Sequence, residues 1–224
     1  RYGTVTGVQT CALPISFLHA SAMLGAAAAA WMPVFRIVPG QQSAFAGGGS
    51  GDCPDPPNFP AGIPVFRQAY RNWSGEIAID SIWTATAGSP QDVVTLANWA
   101  HANGWRIRAR GMAHNWSPIG VDPDATCDTP MLLVDTTTNL TAVAVDSTAT
   151  PPTVTAQTGI DLLSLHTALQ AAGLGLTNCP APGALSLGGA LTVNGHGTSV
   201  PAVGEQLLPG HTYGSLSNLL RSAT

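Results

Sequence analysis

Two glycine-bearing segments carry the residues best suited to hold a ligand. The first is Arg110-Gly111-Met112-Ala113-His114-Asn115-Trp116-Ser117-Pro118, directly after an alternating run that reads as a strand. The second runs from Pro182-Gly183-Ala184-Leu185-Ser186-Leu187-Gly188-Gly189 on to Asn194-Gly195-His196-Gly197-Thr198-Ser199. Glycine lets a backbone approach a phosphate closely, and successive N–H groups in such turns make an anion-binding nest. Ser117, Ser186, Asn194 and Thr198 add short polar donors. The chemistry implied is the cradling of a phosphate-bearing ligand without lysine. The competing reading is that glycine-rich segments are simply loops. Two such loops, each with a histidine and each following strands of one domain, favour a site. Neither contains GxGxxG, so a nicotinamide dinucleotide fingerprint is absent.

His114 is the side chain of interest. A lone histidine is most often a surface or structural group, and a metal ligand would need partners at fixed spacing. His101 and His166 fall on helical patterns and read as structural. His196 and His211 show no short-range pattern with His114 that would hold a metal. No CxxC pair exists either, so no metal site is expected.

Composition narrows the class. The chain has 224 residues, of which 45% are hydrophobic and 9% charged, against about 25% charged in ordinary soluble domains. It can bury a large core. All its basic residues are arginine, which excludes Schiff-base chemistry and a P-loop lysine. The formal net charge of −4 opposes phosphate tracking, so nucleic acid is not an expected partner.

The elements that must position these segments are legible from Ile77 onward. Ile77, Ile79, Ile82 and Trp83 suggest a strand. Ser89, Pro90 and Asp92 open a helix whose apolar face is Val93, Leu96, Ala97 and Ala100, and Gly104 closes it. Trp105, Ile107 and Ala109 alternate with Arg106, Arg108 and Arg110 as a half-buried strand. Residues 131–134, 142–145 and 154–156 are short strands. Asp161 caps a second helix with Leu162, Leu165, Leu169 and Ala172 on one face, ending at Gly173. The pattern is α+β, with two strand–helix–strand units and a meander between them.

The N-terminal part reads differently. Residues 16–46 resemble an export signal remnant: an apolar run from Ala20 to Val34 and an Ala44-Phe45-Ala46 cleavage site. The run is too short and alanine-rich for a stable membrane anchor, which needs about 20 apolar residues. Ser-x-x-x-Phe-Leu is how a twin-arginine signal continues, although Pro14 and Ile15 stand where the arginines belong. VTGVQTCALPI, residues 5–15, reads like a translated sequencing adapter, so residues 1–15 are expected to be an artefact and Cys11 irrelevant. Residues 47–76 read as an extended arm. A secreted or periplasmic location follows, and Cys53, Cys127 and Cys179 permit one disulfide with one thiol left over.

Together the two segments resemble the FAD-binding domain of the vanillyl-alcohol-oxidase and p-cresol-methylhydroxylase family. Arg110-Gly111, His114 and Ser117 match its Arg-Gly-x-x-His-x-x-Ser motif, and residues 188–198 match its Gly-Gly-x-x-x-x-Asn-Gly-His-Gly-Thr segment. RGMAHNWSPIGV and GHTYGSLSNLL are similar to the cholesterol oxidases that carry covalent FAD. Ala113 departs from that pattern, where a basic residue is expected.

The resemblance implies a domain of two α/β subdomains over residues 77–224, truncated before a substrate domain. It implies FAD bonded through its 8α carbon to His114. It further implies cofactor contacts from Arg110, Gly111, Met112, Ala113, Asn115, Ser117 and Pro118, and from Gly183, Ser186, Gly188, Gly189, Thr192, Asn194, Gly195, His196, Gly197 and Thr198. The implied reaction is hydride transfer from a secondary alcohol, such as a 3β-hydroxysterol, to flavin and then dioxygen, giving hydrogen peroxide. The groups acting on the substrate hydroxyl would lie in the missing part, leaving this fragment inactive by itself. Rival readings are a sugar-lactone, alditol or oligosaccharide oxidase of the same fold, and a non-catalytic flavin-binding module.

Overall fold

The computed structural model describes residues 10–14, 16–17, 53–197, 203–204 and 214–224. Two compact units are present: Arg1–Leu18 with Pro54–Thr224, and His19–Cys53, of which only Cys53 is described. The expected export signal, apart from Ser16 and Phe17, lies outside the described residues, and so does Thr198. Among the described residues no helix is long and apolar enough to cross a membrane.

In chain order the elements are β1 (Thr10–Pro14), β2 (Ser16–Phe17), β3 (Val65–Arg71), β4 (Ala78–Thr86), α1 (Pro90–Asn103), β5 (Arg106–Arg110), β6 (Met131–Asp135), β7 (Val143–Asp146), β8 (Thr153–Gln157), α2 (Leu162–Ala171), β9 (Leu174–Gly175), α3 (Leu187–Thr192), a 3-10 turn (Leu216–Leu219) and β10 (Ser222–Ala223). One mixed sheet, antiparallel sheets and packed helices make the fold α+β, as the sequence pattern implied.

The first half is a four-stranded sheet in the order β3-β4-β6-β5. β4, β6 and β5 run parallel, and β3 joins antiparallel at the edge. One face, Trp83, Ala85, Leu132 and Val134, buries against Leu96, Trp99 and Ala100 of α1. The other face, Tyr70, Ile79, Ile82, Met131 and Leu133, is covered by Val121 and Ala125. α1 forms where its signals predict. Ser89 and Asp92 complete a capping box, and Gly104 ends the helix at φ +69°, where a Cβ would be strained.

The second half is built on β7 and β8, which pair antiparallel; β8 also pairs β1, and β1 pairs β10. Its core is Val154, Ala156, Leu162, Leu165, Leu169, Leu187 and Leu216. Asp161 caps α2 by accepting from the Ser164 N–H at 2.8 Å. Cys53 and Cys127 are disulfide-bonded and Cys179 is a free thiol.

Two elements differ from the sequence reading. Val65–Arg71, within the expected arm, is strand β3, whose register shift between Gln68 and Tyr70 erases the period of two that marks a half-buried strand. Gly188 and Gly189, read as loop, lie in α3. Tertiary packing overrides glycine's poor helix propensity there, because Leu187 and Ala190 are buried in the second core.

His166 of α2 places Nε2 2.9 Å from the Cys179 Sγ. Burial lowers the imidazole below its ordinary 6.5 and raises the thiol above its ordinary 9.0, so both groups are held neutral. The His166 contribution to stability is present above the unfolded pKa and is lost as pH falls through the lowered folded value. The thermal midpoint should therefore decline as pH falls below about 6.5, and His166→Gln should flatten that slope. A melting series across this window on both proteins measures it. Equal slopes would remove His166 as the cause.

Candidate functional site

β5 delivers Arg108 and Arg110 to the edge of the first sheet, and the chain leaves its carboxyl end as the loop from Gly111 to Ser117. The turn after β3 clamps that loop. The Trp73 N–H donates to the Ala113 carbonyl at 2.8 Å. The Asn72 Nδ2 donates to the Asn115 carbonyl at 2.9 Å and to the Ser74 Oγ at 3.1 Å. The Ile77 N–H returns to the Asn72 Oδ1 at 3.1 Å. The Tyr70 hydroxyl donates to the Asn115 Oδ1 at 2.8 Å. Burial pushes that phenol above its ordinary 10.0, against the Asn115 hydrogen bond and the Arg110 charge, so it remains a donor.

His114 is thus flanked by two pinned residues. Its neighbour Ala113 takes φ +56°, a left-handed conformation that costs a residue with a Cβ roughly 1 kcal/mol. The methyl is half-buried against the Tyr70 cluster. A long basic side chain at 113, as the resemblance suggested, would have to leave that packing. The His114 ring makes no hydrogen bond to any described residue; its ring contact is a stack on Trp73, with centroids 5.6 Å apart and planes at 21°. Trp73 in turn meets Trp116 at 5.3 Å.

A cleft of about 730 Å³ joins the two segments, within the range usual for ligand sites. One wall is Arg108 to Trp116 with Tyr70, Ile119 and Gly120. The other is Pro180, Pro182, Leu185, Ser186, Gly188, Gly189, Ala190 and Thr192 to His196. Leu133, Thr136 and Thr158 complete the lining. Of the sequence candidates, Arg110, Gly111, Met112, Ala113, His114, Asn115, Ser186, Gly188, Gly189, Thr192, Asn194, Gly195 and His196 meet here.

Four candidates sit elsewhere. The Ser117 carbonyl accepts from the Asn115 Nδ2 and the Ile119 N–H, closing the turn. Pro118 lines a separate recess of about 230 Å³ with Arg106 and Arg108. The Gly183 carbonyl accepts from the Leu163 N–H at 3.2 Å. Gly197 lies against the Cys179 backbone, and its N–H donates to the Asn178 Oδ1 at 3.2 Å.

The two walls differ in what they can offer. The backbone N–H groups of Gly111 to Asn115 donate to no described residue. In the second segment they are largely committed: Leu187 to Ile160, Gly188 to Thr158, Asn194 to Leu191 and Gly195 to Ala190. The expected glycine nest around Gly188 is therefore spent on the fold. Free donors and two guanidinium groups lie on the first wall, the better match for a pyrophosphate. The second wall is more apolar, through Pro180, Pro182, Leu185, Ala190 and Val193, and suits a ring system.

Sequence reasoning missed Tyr70, Asn72 and Trp73, which hold the loop, and Arg108, Thr158 and Pro180 in the lining. The signal for the first group was weak. A buried asparagine at a strand end and a tryptophan before Ser-Gly carry no period, and their partners in the loop lie 40 or more residues away.

A family model described as FAD binding domain matches residues 83–207. The solved cholesterol oxidase from Brevibacterium sterolicum is 51% identical, with a TM-score of 0.70 over 73% of this chain and 30% of that one. A histidine-to-alanine mutant of the same enzyme gives 50% identity, TM-score 0.70 and the same coverage. A solvent-stable cholesterol oxidase is 50% identical, with a TM-score of 0.71, covering 74% of this chain and 31% of that one. The chain thus spans about 30% of the length of these structures. No curated protein matches it.

Gly111 brings the first wall against Ser186 of the second. A Cβ there would overlap the Ser186 Oγ and come within 3.3 Å of its Cβ. Gly111→Ala should destabilise the domain by about 1–3 kcal/mol through overpacking. Adding Ser186→Gly should recover more than half of the loss, since the pair is in contact. Urea melts of the single and double variants test this, and strictly additive effects would refute it.

Proposed function

This chain belongs to the FAD binding domain family, and we propose that its cleft holds FAD covalently through His114 as the cofactor-binding part of a flavoprotein oxidase. The observation that carries the reading is the His114 imidazole: it lines the cleft, is pinned on both sides, and has no hydrogen bond of its own to a described residue. A ring held in place with a nitrogen unencumbered is what a covalent tether requires.

The donor set fits the group. Backbone N–H groups of Gly111 to Asn115, with Arg108 and Arg110, suit the pyrophosphate. The apolar residues of the second wall suit the flavin ring. Among the described residues, no group of three or more His, Cys, Asp or Glu could hold a metal, so His114 is not claimed by a metal cluster there. With FAD in the cleft, His114 would hold it by a bond from an imidazole nitrogen, in place of its N–H, to the 8α carbon in place of one C–H, with dioxygen taking up the two hydrogens and two electrons as hydrogen peroxide.

When bound, the flavin supplies hydride acceptance from an alcohol carbon and electron delivery to dioxygen. The residues of this chain bind and orient it. Arg108 and Arg110 neutralise its phosphates, Asn72 and Tyr70 fix the loop, and His114 anchors the ring. A 3β-hydroxysterol is the substrate we favour, on the 50% identity to solved cholesterol oxidases. Groups that act on the sterol hydroxyl are proposed to lie outside this chain. Export by the twin-arginine route, which carries folded cofactor-loaded proteins, is part of the proposal; the disulfide-bonded Cys53 and Cys127 suit an oxidising compartment.

Acid precipitation of the purified chain tests the tether. Yellow colour and flavin fluorescence should stay with the wild-type pellet and move wholly to the supernatant for His114→Ala. Flavin that remains with the His114→Ala pellet would assign the anchor to another residue. Flavin absent from both proteins would reject a flavin-holding cleft.

A further inference from the structure

Trp73 lies outside the cleft lining, yet it makes the ring contact that His114 has among the described residues. It is 62% exposed, and Trp116 beside it is 64% exposed. Neither indole is spent on the core. The stack on His114, at 5.6 Å and 21°, falls within the range of attractive offset aromatic pairs. Trp73 is also tied to the loop through its own N–H, which bonds the residue just before His114. Backbone and side chain therefore grip the same point. The backbone bond fixes where the His114 Cα sits. It leaves the side-chain torsions free, and among the described residues the stack on Trp73 is the ring contact that restrains the plane of the imidazole.

We propose that Trp73 is a positioning residue for His114: its indole backs the imidazole from outside the cleft and sets the ring plane so that a nitrogen faces the bound ligand. The proposal rests on the reading of His114 as the flavin tether. Bond formation to the 8α carbon demands that the nitrogen lone pair point along the line of the new bond. A ring free to turn about its torsions meets that demand only part of the time, and misorientation of this kind costs rate steeply. Trp116 completes the corner by limiting the swing of Trp73 itself, at 5.3 Å and 57°. Phenylalanine at position 73 would keep an aromatic face for the imidazole; alanine would not.

The test uses the full chain produced with FAD, as wild type, Trp73→Ala, Trp73→Phe and His114→Ala. Total flavin per protein, the acid-precipitated share of it, and the time course of attachment after adding FAD to apoprotein are measured. Trp73→Ala should bind FAD to the wild-type level but attach it at least about tenfold more slowly. Trp73→Phe should recover most of the rate. Equal attachment rates in wild type and Trp73→Ala would overturn the positioning role.

A flavin-free readout separates this claim from the tether itself. The His114 ring protons in the apoprotein should show an indole ring-current shift that Trp73→Ala abolishes, with melting temperatures unchanged. If flavin attaches to no variant, the tether reading fails. The shift then decides the positioning claim: its loss in Trp73→Ala sustains the stack, and an unchanged spectrum rejects it.

Discussion

The site depends on one buried amide. Asn72 is 3% exposed, and its side chain satisfies three groups at once: the Asn115 carbonyl, the Ser74 hydroxyl and the Ile77 N–H. Each of those partners belongs to a stretch without regular structure of its own or to its border. Removing the amide would leave buried polar groups unpaired, and such groups cost more than the hydrogen bonds gain. The Tyr70 phenol and the Trp73 N–H extend the clamp on either side. A loop with free N–H groups and a left-handed alanine is otherwise ill-suited to hold one shape. Anchoring by an antiparallel edge strand lets it keep both features.

The two halves of the domain contribute unequally to the cleft. In the first, the backbone donors of Gly111 to Asn115 make no hydrogen bond to a described residue. In the second, Gly188 and its neighbours are glycine for packing: a Cβ at 188 would come within 2.8 Å of the Thr158 Cβ. Close approach of backbone to backbone uses up N–H groups that a nest would need. Arg108 and Arg110 of β5 line the cleft and can offer positive charge to an anion. Their alternation along an edge strand sets them on a single face, and nothing in the described residues forms an ion pair with them.

The elements around the site were largely legible. Ser89, Asp92 and Gly104 mark α1 because capping chemistry is local, and Asp161 and Gly173 mark α2 for the same reason. β5, β6 and β8 follow from short apolar or alternating runs. β3 escaped because its register shift breaks the alternation, and α3 because its two glycines read as a turn. Within the site, the motif glycines and His114 stood out by type and spacing. Tyr70, Asn72 and Trp73 did not, since their roles come from contacts across some 40 residues of chain.

Residue types and short spacings, by themselves, determined that two segments could approach a phosphate-bearing ligand, that His114 was the notable side chain, and that helices and strands alternate in an α+β order. These are local properties, set by backbone freedom, capping and periodicity. Only the tertiary structure decided which segment keeps N–H groups unspent among the described residues, that Ser117, Pro118, Gly183 and Gly197 do not line the cleft, and that an indole stacks on the imidazole. Those outcomes depend on which distant groups satisfy one another, and hydrogen-bond partners far apart in sequence leave no periodic trace in it.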